Sequence, residues 1–204
     1  MNVRTRVKYC GITQERDALD AVALGVDAIG LVFVQRSPRC VSVARAAAIC
    51  RALPPLFPVV GLFMDAPAEE VRAVCREVGL NWLQFHGGET PEYCASFGTP
   101  FIKALPMGSP ERVDFGAWER ASALLLDAHA AGEQGGSGRT FDWSGFRPPQ
   151  RAWILAGGLN PDNIAEARAR LAPPAVDVST GIESAPGIKN ASLMSRFMEN
   201  LNNG

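Results

Sequence analysis

Two side chains capable of acid–base chemistry stand where apolar runs give way to loops. Cys10 lies in VKYCGI, a strand-like run from Val7 to Ile12 that passes into a glycine. Asp127 closes the apolar run Ala123–Asp127. A thiol and a carboxyl at two strand ends can serve as base and acid on one substrate, provided the fold aims both into one pocket. Position alone leaves plainer readings open. A cysteine in an apolar strand is commonly a small buried hydrophobe, and an aspartate after a strand is commonly a turn or cap former.

Three glycine-bearing loops point to an anion. GGSGRTFDW follows the Asp127 strand and carries Gly136, Ser137 and Gly138. AGGLNPDNIAEA sets Gly157 and Gly158 between a strand and a helix N-terminus, and VSTGIESAPGIKN sets Thr180 and Gly181 just past the last strand. Glycines let backbone N–H groups approach a phosphate, and a helix N-terminus favours negative charge. Ordinary turn chemistry is the alternative for each loop taken singly.

QRSPRC offers Arg36 and Arg39. An arginine there can grip a carboxylate with two parallel hydrogen bonds, and a solvated loop arginine is the plainer reading. His86 ends a strand and is either an acid or base or a packed, hydrogen-bonded histidine; His129 lies in a loop beyond Asp127. The two histidines are too far apart, and too poor in neighbouring ligands, for zinc. Cys50, Cys75 and Cys94 fall in helical patterns as packing residues, and Cys40 has no assigned role.

The elements that must position these groups alternate in type. Strand-like runs cover Val7–Ile12, Ala28–Phe33, Phe57–Phe63, Trp82–His86, Phe101–Leu105, Ala123–Asp127, Trp153–Ala156 and Val176–Ser179. Between and after them come helical patterns at Glu15–Gly25, Ser42–Leu53, Pro67–Gly79, Pro91–Phe97, Pro161–Leu171 and Ser192–Leu201. Pro110–Arg120 is a weak helix broken by Gly116, and FDWSGF has room for one short helix. Strands alternating with helices imply a parallel sheet, and near-continuous apolar strands imply a sheet covered on both faces.

Eight such units predict a (β/α)8 barrel, one small domain over residues 1–204. An open flavodoxin-like or Rossmann-like sheet is second, and no G-x-G-x-x-G follows the first strand. In a barrel the chemistry gathers at the C-terminal strand ends, where Cys10 and Asp127 fall. Lys8 shares a face with Cys10, and Asp177 with Ser179. First and last strands are neighbours in a closed barrel, so Lys8 and Asp177 are predicted to pair inside it.

The bulk numbers fit. With 204 residues and 47% hydrophobic content, the chain can bury a sizeable core. A net charge of −1 gives no single-sign field to attract nucleic acid or an anionic membrane. No apolar run approaches a membrane span, and MNVRTRVKYC has no signal-peptide core, so a cytoplasmic protein is expected. Five widely spaced cysteines without a CxxC pair argue against a disulfide framework and structural zinc.

Taken together, VKYCGIT, GLVFVQRSPR, VVGLF, LQFHGGE, LLLDA, GGSGRTFDW, LAGGLNPDNIAEA and VDVSTGIESAPGIKN resemble the phosphoribosylanthranilate isomerase family of tryptophan biosynthesis. The motifs occur in the family's order over nearly the whole chain. The resemblance implies a barrel that performs an Amadori rearrangement on N-(5-phosphoribosyl)anthranilate with no metal and no cofactor. It implies Cys10 as general base, Asp127 as general acid and Arg39 as the group meeting the anthranilate carboxylate. Phosphate falls to Gly136, Ser137, Gly138, Gly157, Gly158, Thr180 and Gly181. Thr180 stands where the family commonly has serine, and it keeps the hydroxyl.

Such a reaction wants the base lowered in pKa and the acid raised. The expected partner is one small phosphorylated substrate, with neither nucleic acid nor membrane, in a monomer or homodimer. Two alternatives are a related phosphosugar-barrel isomerase or synthase, and a phosphate-ligand-binding barrel without catalysis.

Overall fold

Eight parallel strands close on themselves in a computed structural model that describes residues 4–108, 113–128, 143 and 146–203. The order is β1 (Arg6–Cys10), α1 (Glu15–Ala23), β2 (Ala28–Val32), α2 (Val43–Ala52), β3 (Val59–Phe63), α3 (Ala68–Val78), β4 (Trp82–Phe85) and α4 (Pro91–Ala95). It continues with β5 (Phe101–Pro106), β6 (Ala123–Asp127), β7 (Trp153–Leu155), α5 (Ile164–Leu171), β8 (Ala175–Val178), β9 (Glu183–Ala185), β10 (Ile188–Lys189) and α6 (Ala191–Asn203). Each of the first eight strands pairs with the next, and β8 returns to β1 in the register Arg6↔Ala175 to Tyr9↔Val178. That closure excludes the open sheet.

The apolar strands have two audiences. Side chains of one parity, among them Val60, Ile102, Leu125 and Ile154, fill the barrel interior. Those of the other parity, such as Tyr9, Leu31, Phe85 and Leu126, form a second core with the helix faces, Val71 and Val74 of α3 and Phe197 of α6 among them. Burial on both sides is why the strands read as unbroken hydrophobic runs.

Local signals set the helix ends. The Ser42 hydroxyl accepts from the Arg45 N–H at the start of α2, the Thr90 hydroxyl accepts from the Tyr93 N–H before α4, and Gly79 stops α3 at φ +72°. Two expectations shift, and one element is new. The weak helix predicted to Arg120 is, where described, a single 3-10 turn at Gly116–Trp118, entered through the Asp114 carboxylate, which accepts from the Gly116 N–H. Helix α5 starts at Ile164, after Pro161, because Asn160 Oδ1 accepts from the Asp162 and Asn163 N–H groups and holds that stretch in a turn. The β9–β10 hairpin was not anticipated; strands of three and two residues are too short to show alternation.

Of FDWSGF, only Trp143 and Phe146 are described, and His129 lies outside the described residues. No helix among the described residues is long and apolar enough to cross a membrane.

Candidate active site

Strand β1 turns Lys8 and Cys10 inward by its period of two. Lys8 is paired in register with Asp177, and its Nζ donates to Asp177 Oδ1 at 2.8 Å, both side chains buried. The pairing predicted from parity is present. Gly30 lies opposite Cys10 on β2. A Cβ there would stand 2.9 Å from Cys10 Sγ and 3.0 Å from Lys8 Nζ, so the bare glycine makes room for both reactive ends.

These neighbours set the charges. Burial pulls the Lys8 ammonium down, but Asp177 and Cys10 beside it pull harder and hold it above its ordinary value. Burial pushes the Cys10 thiol up, and this exceeds the downward pull of Lys8 and Lys189. The expectation of a lowered thiol is therefore corrected. In the unliganded protein the thiol keeps its proton more firmly than a free cysteine, because desolvation of the anion outweighs the cations around it.

Asp127 ends β6 and is buried. Its Oδ2 lies 3.3 Å from His86 Nε2. On its other side the ring nitrogen Nδ1 of His86 is 3.2 Å from the Gln84 amide nitrogen, so that Nε2 is the ring nitrogen facing Asp127. His86 thus stands against the carboxylate, a placement the sequence had left open. Gly157 is the next wall: at φ +85° it accommodates a turn where a Cβ would crowd the Ala128 backbone and lie 2.9 Å from Asp127 Oδ1.

Arg39 sits in the loop after β2. Its Nε donates to Glu183 Oε1 at 2.8 Å and its Nη2 to Glu183 Oε2 at 2.7 Å. A longer contact of 3.4 Å reaches the Thr180 hydroxyl. The reading as a solvated loop arginine is overturned. Arg36, by contrast, lies against Met64 Sδ at 3.1 Å and does not line the cavity. Glu183 and Lys189 were missed. They pair across the hairpin, with Lys189 Nζ 2.8 Å from Glu183 Oε1. The Pro186-Gly187 dipeptide between them was the available signal, since it marks a turn that brings its flanks together.

The glycine loops after β7 and β8 meet. Gly158 (φ +65°) is held by the side-chain amides of Asn160 and Asn163, which donate to its carbonyl at 3.2 and 2.9 Å. A Cβ on Gly181 would collide with the Leu159 carbonyl and lie 2.8 Å from Asn160 Cα.

One cavity of about 900 Å³, open to solvent, is lined by Cys10, Arg39, His86, Asp127, Gly157, Gly158, Thr180 and Gly181. Every described residue predicted for the site lines this mouth. Gly136, Ser137 and Gly138 lie outside the described residues. Cys40 instead bridges to Val32 in the ladder. Among the described residues, no three His, Cys, Asp or Glu side chains converge to hold a metal.

Comparison with known proteins agrees with this geometry. Residues 7–200 match the family model described as N-(5'phosphoribosyl)anthranilate (PRA) isomerase. The chain is 50% identical over 203 residues to the N-(5'-phosphoribosyl)anthranilate isomerase of Nitrosococcus oceani, covering 96% of this chain and 97% of the relative. The crystal structure of phosphoribosyl anthranilate isomerase from Thermus thermophilus superposes with a TM-score of 0.88 at 39% identity, covering 98% and 99% of the two chains. A further phosphoribosyl anthranilate isomerase, crystallised with reduced 1-(o-carboxyphenylamino)-1-deoxyribulose 5-phosphate, matches with a TM-score of 0.78 at 35% identity, covering 98% and 100%. On the full-length match of model, relative and structures, the chain belongs to the N-(5'-phosphoribosyl)anthranilate isomerase family of tryptophan biosynthesis, isomerases of the aldose–ketose kind.

Proposed function

We propose that Cys10 and Asp127 divide the Amadori rearrangement of N-(5-phosphoribosyl)anthranilate between them. The observation that carries this reading is their convergence: a thiol on β1 and a carboxyl on β6 line one mouth, beside the glycine loops after β7 and β8.

In this scheme Asp127 protonates the ribose ring oxygen. The C1′–O bond breaks as the anilino nitrogen lone pair forms an iminium ion. His86 Nε2–H faces the carboxylate left behind and stabilises it. Cys10, as thiolate, removes the C2′ proton, and the C–H electrons neutralise the iminium. The resulting enolamine tautomerises to the ketone, 1-(2-carboxyphenylamino)-1-deoxyribulose 5-phosphate. The thiol begins protonated, so its ionisation must be favoured by positive charge. Lys8 and Lys189 supply part, and the iminium adds more at the moment the base is needed.

The other roles belong to the same proposal. Arg39 meets the anthranilate carboxylate. Gly157, Gly158, Thr180 and Gly181 hold the phosphate, together with Gly136, Ser137 and Gly138. The backbone at Gly157 and Gly158 is suited to it, with positive φ at both and the Gly158 carbonyl held by two side-chain amides. Residues 1–204 act as one barrel domain, as a monomer or homodimer in the cytoplasm, a setting consistent with five cysteines free of disulfides.

Fluorescence loss of phosphoribosylanthranilate, followed with wild type and Cys10→Ser side by side, tests the proposal. General acid–base catalysis contributes about 10²–10⁴-fold, so kcat is expected to fall by that factor with KM little changed. Near-normal turnover in Cys10→Ser would remove the thiol from the mechanism.

A further inference from the structure

We infer that Glu183 is a positioning residue for substrate binding: clasped between Arg39 and Lys189, it aims the Arg39 guanidinium into the mouth. The inference rests on the reading of Arg39 as the carboxylate clamp.

Glu183 meets one edge of the guanidinium with both oxygens, using Nε and Nη2. An arginine fork presents five N–H donors in a fixed plane. Engaging one edge therefore fixes where the rest points, and among the described residues none accepts from Nη1. The anchored side is rigid: the Glu183 side chain is 3% exposed and that of Lys189 is 0% exposed. Lys189 Nζ also reaches the Ser179 carbonyl at 3.2 Å, and its backbone N–H donates to Asp17 Oδ2 at 3.1 Å.

The hairpin that carries both residues is tied to the loop after β1, where the Thr13 hydroxyl donates to the Gly187 carbonyl at 2.5 Å. In that same loop, Gly11 at φ +74° lets the Arg39 stem pass, since a Cβ there would press on Arg39 Cδ. So the hairpin, the first βα loop and the second βα loop meet at one guanidinium. Two cations share the Glu183 carboxylate, while the Asp17 carboxylate faces the Lys189 backbone. An incoming substrate carboxylate at the free edge of Arg39 then adds the missing negative partner.

A residue that orients a binding group, and does not touch the reacting atoms, moves KM more than kcat. Steady-state kinetics of wild type, Glu183→Gln and Arg39→Ala, with anthranilate and inorganic phosphate as competitive inhibitors, test the idea. In Glu183→Gln, KM and the anthranilate inhibition constant should each rise about 10-fold, the worth of a lost charged hydrogen bond. The fall in kcat should be smaller than the rise in KM, and phosphate inhibition should stay as in wild type.

Unchanged anthranilate inhibition in Glu183→Gln, with weakened inhibition in Arg39→Ala, would overturn the inference and leave the Arg39 reading standing. Unchanged inhibition in both variants would remove the Arg39 reading and this inference with it. Equal weakening of anthranilate and phosphate would mean a collapsed mouth, and would also overturn it. If Glu183→Gln does not fold, Glu183→Asp keeps the charge between the cations but withdraws it from Arg39, and must give the same split.

Discussion

Lys8 Nζ lies 2.8 Å from Asp177 Oδ1 inside the barrel, two strand residues before the Cys10 thiol on the same face of β1. The first and last strands thereby share a buried ion pair directly below the proposed base. Its Coulomb attraction acts in a medium that screens poorly, and removing one partner strands the other charge in that medium, so the half-loss is the costly change.

Lys8→Met leaves Asp177 buried without its cation. A destabilisation of about 3–5 kcal/mol is expected in urea unfolding, the scale for breaking a buried pair. The thiol also loses one of the charges that draw it down. The pH midpoint for alkylation of Cys10, followed by peptide mass spectrometry because Cys40, Cys50 and Cys75 are partly exposed, should therefore move upward from wild type. A midpoint that stays put would show that Lys8 does not tune the thiol.

Gly30→Ala separates site from scaffold. The new methyl group meets Cys10 Sγ at 2.9 Å and Lys8 Nζ at 3.0 Å. Both are side-chain ends, able to move aside, so the stability change should stay at about 1–3 kcal/mol, the scale of mild overpacking. Turnover should suffer more, because about 1 Å of misplacement can cost on the order of 10²-fold. Wild-type kcat in a stable Gly30→Ala protein would argue that the Sγ position is not critical.

On the outer side of β5, Lys103 pairs with Glu89 at 2.8 Å, both buried. Glu89 also accepts from the Asp65 and Gly87 N–H groups, so one carboxylate ties the loops after β3 and β4. Glu89→Ala strands the lysine and frees two backbone donors. The expected loss is about 3–5 kcal/mol. In a thermal melt followed by circular dichroism that corresponds to a drop of roughly 6–20 °C for a chain of this size. A shift of a degree or less would contradict the tie.

Alkaline pH should weaken the fold through buried thiols. Burial pushes Cys94 up to about 12. In the unfolded chain it ionises near ~8.5. Between these values the unfolded state binds fewer protons, so the stabilising contribution is whole below the unfolded value and is lost as pH rises toward the folded one. For one group the slope approaches about 1.4 kcal/mol per pH unit. Urea unfolding between pH 9.5 and 11 (about the middle of that window) should show a shallower fall in Cys94→Ala than in wild type, whatever constant offset the cavity brings. Parallel lines would exclude Cys94 as a source.

Much of this architecture is local and therefore legible in the residues. Apolar runs such as Ala123–Asp127 and amphipathic ones such as Ala68–Val78 declare their type over a few neighbours. Parity on β1 and β8, with closure assumed, was enough to pair Lys8 with Asp177. Asn160 and Asn163 were harder, since their side chains compete with the backbone for the first turn of α5.

The amino-acid sequence by itself determined the alternation of elements, the barrel class and which reactive types stand at the strand ends, because those depend on spacing along the chain. Only the tertiary structure decided that Arg39 is held by Glu183, 144 residues away, and that His86 faces Asp127. It alone decided, too, that the Cys10 thiol is raised and not lowered. Such facts depend on which charges share a dry interior and how completely water is removed from them, and no short stretch of chain carries that information.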